Sequence, residues 1–127
     1  MRSPRAVPRW SLARGRIARF LDDADDPAGV VATLASVLAP GSFVAISHLT
    51  SDFAPEHVRA GVAVYNAHVP VGITARTHRE VTGLFVGLAL VPPGVVPVSE
   101  WRPDHAPVHG VTPDVYAGLA TITRRPR

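Results

Sequence analysis

His48 closes a short apolar stretch, Ser42-Phe43-Val44-Ala45-Ile46-Ser47-His48, and Asp52 follows four residues later. An imidazole titrates near neutral pH and can take a proton from a hydroxyl or amine. A carboxylate beside it could orient the ring. Each residue also has a structural use: His48 can bond a neighbouring loop, and Asp52 can cap the helix that follows. His105 and His109 have the spacing of a helical zinc pair. Pro107 lies between them, however, and residues 102–113 read as a polar, solvated loop. The acidic run Asp22, Asp23, Asp25, Asp26 could meet a hard cation or cap a helix from a solvated loop. Trp101, between Glu100 and Arg102, could touch a substrate or pack at a strand edge. His57, His68 and His78 fall at polar helix or loop positions and form no ligand set.

Several chemistries are excluded. The chain has no Cys, so disulfides, thiolate metal sites and a Cys nucleophile are out. All 13 basic residues are Arg, so no Schiff base and no phosphate-loop lysine can form. The ten glycines are scattered and never make a G-x-G-x-x-G loop, and the G-x-S-x-G elbow of a serine hydrolase is missing too.

With 127 residues, 46% of them hydrophobic, the chain is long enough for one domain with a modest core. No apolar run approaches the roughly 18 residues of a membrane span. The net charge of +3 is unevenly placed: residues 1–19 carry six Arg and no acid, and the remainder carries seven Arg against ten acids. That basic start reads in three ways: a shifted frame or displaced start codon in GC-rich DNA, a solvated or transit segment, or a nucleic-acid arm.

The elements that position these residues follow from periodicity. Asp26 and Pro27 suit an N-cap and a first helical position. After them Val30, Val31, Leu34, Val37 and Leu38 form one apolar helical face, stopped at Ala39-Pro40-Gly41. The near-continuous apolarity of Ser42 to His48 predicts a strand buried on both faces, as in a parallel sheet. A second helix is predicted from Pro55 to about Ala67, with Val58, Val62 and Tyr65 inward. Thr77-His78-Arg79-Glu80 matches a capping box and starts a third helix with Val81, Leu84, Phe85 and Leu88 inward. Leu88–Val91, Val95–Trp101 and Val115–Ile122 read as strands, the first two separated by the Pro92-Pro93-Gly94 turn. Helices alternating with strands predict parallel pairing, and the closing strands predict an antiparallel edge.

In order, the phrases Asp25-Asp26-Pro27-Ala28-Gly29-Val30-Val31, Pro40-Gly41-Ser42-Phe43 and Ser47-His48-Leu49-Thr50 resemble a known family. So do Arg76-Thr77, Gly87-Leu88-Ala89-Leu90-Val91, and Pro93-Gly94-Val95-Val96-Pro97-Val98 running into Trp101-Arg102-Pro103-Asp104. They are similar to S-adenosylmethionine-dependent methyltransferases found mostly in actinobacteria, formerly a domain of unknown function. The resemblance runs from about residue 20 to the C-terminus. It departs at Arg14–Arg19, where an apolar fourth strand is expected, at Val86, where an acid is expected, and at Ala120–Thr123, where a glycine-containing strand is expected.

The resemblance implies an α/β fold: the C-terminal half of a Rossmann-like class I methyltransferase sheet, parallel strands with helices and a terminal antiparallel strand pair. Ser42–His48 would be its fifth strand. Residues 1–19 would be an Arg-rich leader, non-native or disordered, and residues 20–127 a partial methyltransferase-like domain. The cofactor, S-adenosylmethionine, would sit chiefly on a glycine-rich loop that precedes this chain. The expected activity is that of a transferase catalysing methylation by direct displacement, here a truncated copy inactive by itself and cytoplasmic. By this resemblance His48 and Asp52 lie near a small-molecule methyl acceptor, Asp22 and Asp23 lie at the cofactor's edge, and no metal is expected. The alternative is a non-catalytic interaction module that self-associates or takes a partner through an open sheet edge. No membrane contact is expected, and nucleic-acid binding through the Arg-rich start is the least favoured reading.

Overall fold

The computed structural model describes residues 23–104 and 112–123. Asp22, His105, His109 and the Arg-rich residues 1–19 lie outside the described residues. A 3-10 turn at Asp23–Asp25 leads into helix α1, Pro27–Ser36. The cap of α1 is as predicted: the Asp26 carboxylate accepts from the Gly29 amide at 3.2 Å, and Pro27 occupies the first turn, where no amide donor is needed. Strand β1 is Phe43–Leu49, helix α2 is Pro55–His68 and helix α3 is His78–Gly83. Both halves of the capping box form at α3. Thr77 Oγ1 accepts from the Glu80 amide at 3.2 Å, and Glu80 Oε1 accepts from the Thr77 amide at 3.0 Å. Two-residue strands β2 (Ala89–Leu90) and β3 (Val96–Pro97) and the long strand β4 (Val115–Thr121) complete the order.

The expected parallel pairing is corrected: every strand pair among the described residues is antiparallel. β4 lies between β1 and β2, in the order β1-β4-β2, and runs against both. β1 and β2 therefore point the same way, which is what the alternation of strand and helix signals. Periodicity carries no information about the strand inserted between them. The Pro92-Pro93-Gly94 segment also differs from the expected turn between separate strands. β2 and β3 pair along β4 in the same direction, with a register offset of three residues between them. They are two halves of one edge strand interrupted by a bulge. The two prolines cannot donate to the ladder, so the interruption falls on them. The predicted strand Val95–Trp101 is likewise shortened, since Val98–Glu100 coils into a 3-10 turn.

The core sits on one face of the sheet. Ile46 of β1 and Tyr116 and Ala120 of β4 pack with Val81, Leu84, Phe85 and Val95, and Val31 of α1, Val44 and Leu88 close over the cluster. Gly118 makes this packing possible, because a Cβ there would stand 2.9 Å from Phe85 Cζ and 3.1 Å from Val95 Cγ2. The expectation that β1 is buried on both faces is corrected by its opposite side. There Phe43, at 54% exposure, and Ala45 and Ser47 face solvent, since the described helices that reach the core all lie on the other face. Leu34 and Val37 of the predicted α1 face are exposed as well. No described helix is long and apolar enough to cross a membrane.

Candidate functional site

The carboxyl end of β1 gathers most of the buried polar side chains. His48 and Tyr116 are cross-strand partners, so both point to the core face. His48 is 1% exposed and Arg76 is 2% exposed. Arg76 Nη1 lies 2.7 Å from His48 Nε2, and His48 Nδ1 lies 2.8 Å from the Leu49 carbonyl. A guanidinium can only donate and a carbonyl can only accept, so the ring carries its proton on Nδ1 and accepts at Nε2. Arg76 also donates its backbone amide to Leu49 O at 2.9 Å, which brings the connector ahead of α3 against the strand end. Its Nη2 reaches Asp23 Oδ1 at 3.5 Å. That carboxylate is 81% exposed, so the ion pair is solvent-screened and weak. Two of the candidate residues, Asp23 and His48, are thus joined through an arginine that periodicity passes over.

Asp52 stands at the other side of this end. Thr50, fully buried, accepts from the Asp52 amide at 3.1 Å and donates its own amide to Asp114 O at 2.8 Å, which fixes the turn after β1. The Asp52 carboxylate is therefore held in place. Its Oδ2 accepts from the Tyr116 hydroxyl at 2.8 Å and from the His78 amide at 2.9 Å. Asp52 caps α3 from outside instead of capping the α2 that follows it, whose N-cap residue Ala54 makes no side-chain bond. Burial, and then the hydrogen bond to Asp52 and its charge, push the Tyr116 phenol up to about 12. It stays a donor to Asp52 at neutral pH. His78, read from sequence as a plain polar position, donates from Nε2 to Val95 O at 2.7 Å and meets the Tyr116 ring edge-on at 5.2 Å. Phe53 covers the same ring at 5.5 Å.

An open cleft of about 480 Å³ adjoins this group, between α2 and the connector. Ser51 and Thr77 line it, and they are the chain neighbours of Asp52 and His78. Asn66 holds the wall. Its Oδ1 accepts from the Ile73 amide at 2.7 Å and its Nδ2 donates to Ile73 O at 3.1 Å. Gly72 admits that clamp, because a Cβ there would lie 2.8 Å from Asn66 Oδ1. No group of three acid or histidine side chains among the described residues could hold a metal ion. Trp101 is half-buried with the Arg102 guanidinium 5.1 Å over its ring, and Arg102 forks onto Pro92 O at 2.7 and 3.2 Å. Both residues belong to the bulged edge of the sheet.

His48 and Asp52 are brought to one strand end, and Asp23 reaches it through Arg76. Sequence reasoning quoted Arg76 only within a family phrase and gave it no role, and it missed Tyr116 and Asn66. The available signals were an Arg in the otherwise uncharged Ile73-Thr74-Ala75-Arg76, and a Tyr on the inward alternate of a strand.

Two solved structures share the fold of this chain. A DUF574 family protein from Streptomyces avermitilis superposes with a TM-score of 0.78 at 36% identity, covering 84% of this chain and 42% of that one. A candidate methyltransferase from Thermobifida fusca gives 0.72 at 26% identity, covering 85% and 41%. The chain thus spans about two fifths of these structures. It also matches an aromatic amino acid aminotransferase of Mycobacterium tuberculosis, 38% identical over an alignment 86 residues long that covers 63% of this chain and 23% of that protein. These 127 residues include no lysine to form the Schiff base of pyridoxal phosphate chemistry. The family model described as S-adenosyl methyltransferase matches residues 11–126, and the chain belongs to that family.

Proposed function

We propose that this region is the acceptor side of an S-adenosylmethionine-dependent methyltransferase, with Asp52 as the group that orients and deprotonates the acceptor. The observation that carries the reading is the Asp52 carboxylate. Oδ2 is saturated by Tyr116 and His78, and Oδ1 has no partner among the described residues. Such a group is fixed in place and still has one oxygen to offer. His48 takes the part of a positioning residue, since both of its ring nitrogens are engaged and it holds Arg76.

S-adenosylmethionine, when bound, supplies a methyl carbon on a sulfonium. The described residues fit its edge only. Asp23 offers an exposed carboxylate, 3.5 Å from Arg76 and able to accept from sugar hydroxyls, with Asp22 beside it in sequence. The glycine-rich part of the site belongs, in this reading, to the portion of the relatives' length that the chain does not span. Expressed alone, the chain neither binds the cofactor nor methylates. A chimera in which these residues replace the matching part of the Streptomyces avermitilis protein tests both claims. It is expected to bind S-adenosylmethionine one to one by calorimetry and to release S-adenosylhomocysteine with an acceptor panel. Asp52→Asn is expected to keep the binding and lose the turnover. Stoichiometric binding by the 127-residue chain alone refutes the divided site, and full turnover by Asp52→Asn refutes the role of Asp52.

A second reading, self-association through β1, is favoured by the exposed Phe43, Ala45 and Ser47 and by pairing on one edge only among the described residues. A monomer by light scattering at every accessible concentration removes it.

A further inference from the structure

The cleft beside Asp52 has an uncommon charge arrangement. Arg59 of α2 and Glu80 of α3 both line it, yet no ion pair joins them. Arg59 makes no hydrogen bond or ion pair with any described residue. Glu80 gives Oε1 to its own capping box, and Oε2 has no partner among the described residues. Val62 and Ile73 supply an apolar wall to the same cleft, and Ser51 and Thr77 add hydroxyls. At about 480 Å³ the volume suits a small molecule. Opposite charges that face one space without neutralising each other suit a ligand that carries both.

We propose that this cleft binds a small zwitterion of the α-amino acid type with an apolar side chain, its carboxylate on Arg59 and its ammonium toward Glu80. The proposal rests on the acceptor-side reading above and names its substrate class. A guanidinium is the donor best matched to a planar carboxylate. A simple anion would meet the charge of Glu80, and a simple cation that of Arg59, so both are disfavoured against a molecule carrying the two charges together. The apolar wall leaves room for a branched aliphatic side chain.

The test is calorimetry on the full 127-residue chain with L-leucine, N-acetyl-L-leucine and L-leucinamide. The first probe carries both charges, and the others lose the ammonium or the carboxylate. L-leucine is expected to bind at least about tenfold more tightly than either derivative. In Arg59→Gln the preference for L-leucine over L-leucinamide is expected to collapse to less than about twofold. Arg59 is exposed and makes no bond with any described residue, so this variant keeps its fold, and its thermal midpoint is the control. No binding of L-leucine, equal binding of N-acetyl-L-leucine, or an unchanged preference in Arg59→Gln each overturns the proposal. These outcomes do not involve methyl transfer. A chimera that turns over while the cleft ignores leucine sinks this inference alone. Leucine binding by a chimera that never transfers a methyl sinks the acceptor-side reading alone.

Discussion

On one face of the β1–β4 ladder, Ile46, Tyr116 and Ala120 are buried beneath α3 and the residues after it. On the other, Phe43, Ala45 and Ser47 of the same β1 strand face solvent. Strand geometry is common to both faces, because successive side chains alternate. What differs is the cover. The inner face has a tight fit, down to a glycine that admits the Phe85 ring. The outer face of β1 has a phenylalanine and an alanine where a solvent-designed strand would carry charge. β1 is composed for two covers, and the described residues lay one over it. Burial is thus a property of the neighbours, and a strand's composition shows where neighbours are intended.

Four substitutions sharpen or break that contrast, each read by chemical denaturation of the chain. The largest effect is expected for Phe85→Ala on the covered face, about 3–5 kcal/mol of stability lost to transfer and cavity terms. A loss under 1 kcal/mol would mean that the inner face is loosely packed and the contrast unreal. Next comes Arg76→Met, which strips His48 Nε2 of its buried donor and is expected to cost about 1.5–3 kcal/mol. Unchanged stability would show that the polar end of β1 contributes nothing to the fold. Tyr116→Phe should cost about 1 kcal/mol at neutral pH and also remove an alkaline dependence. The phenol ionises near 10.0 when unfolded and near 12 when folded. Between those values the folded state keeps a proton that the unfolded state has lost, so the parent's stability falls as pH rises through that window. A parent with a flat profile from pH 10 to 12 contradicts the burial of this hydroxyl. The smallest effect, within about 0.5 kcal/mol, is expected for Phe43→Ala on the open face. A loss of 2 kcal/mol or more there would reveal a cover that the exposure of Phe43 does not show.

Much of the local structure was legible in the residues. Asp26-Pro27 starts α1 and the Thr77–Glu80 box starts α3 because caps are local hydrogen-bond problems solved within four residues. Val81, Leu84 and Phe85 face inward as their spacing demands. The sheet order was not legible, because β1 and β4 pair across more than sixty residues and nothing local specifies which strand enters between which. His48 and Asp52 could be picked out by chemical type and by their place at a strand end. Their partners could not. Arg76 and Tyr116 reach them from distant segments, and a buried arginine looks like any other until its acceptors are placed around it.

β4 is the last described element, yet each of the other three strands pairs with it and, among the described residues, with nothing else. During synthesis the described strands therefore have no ladder among themselves until β4 emerges. A nascent chain extending only to Asp114 holds three strands that have no strand partner among the described residues, and an apolar helix face waiting on them. Such a species is prone to aggregation. Folding of this region is tied to the completion of its last nine described residues, and a stop codon just ahead of Val115 would be far more damaging than one just after Thr123.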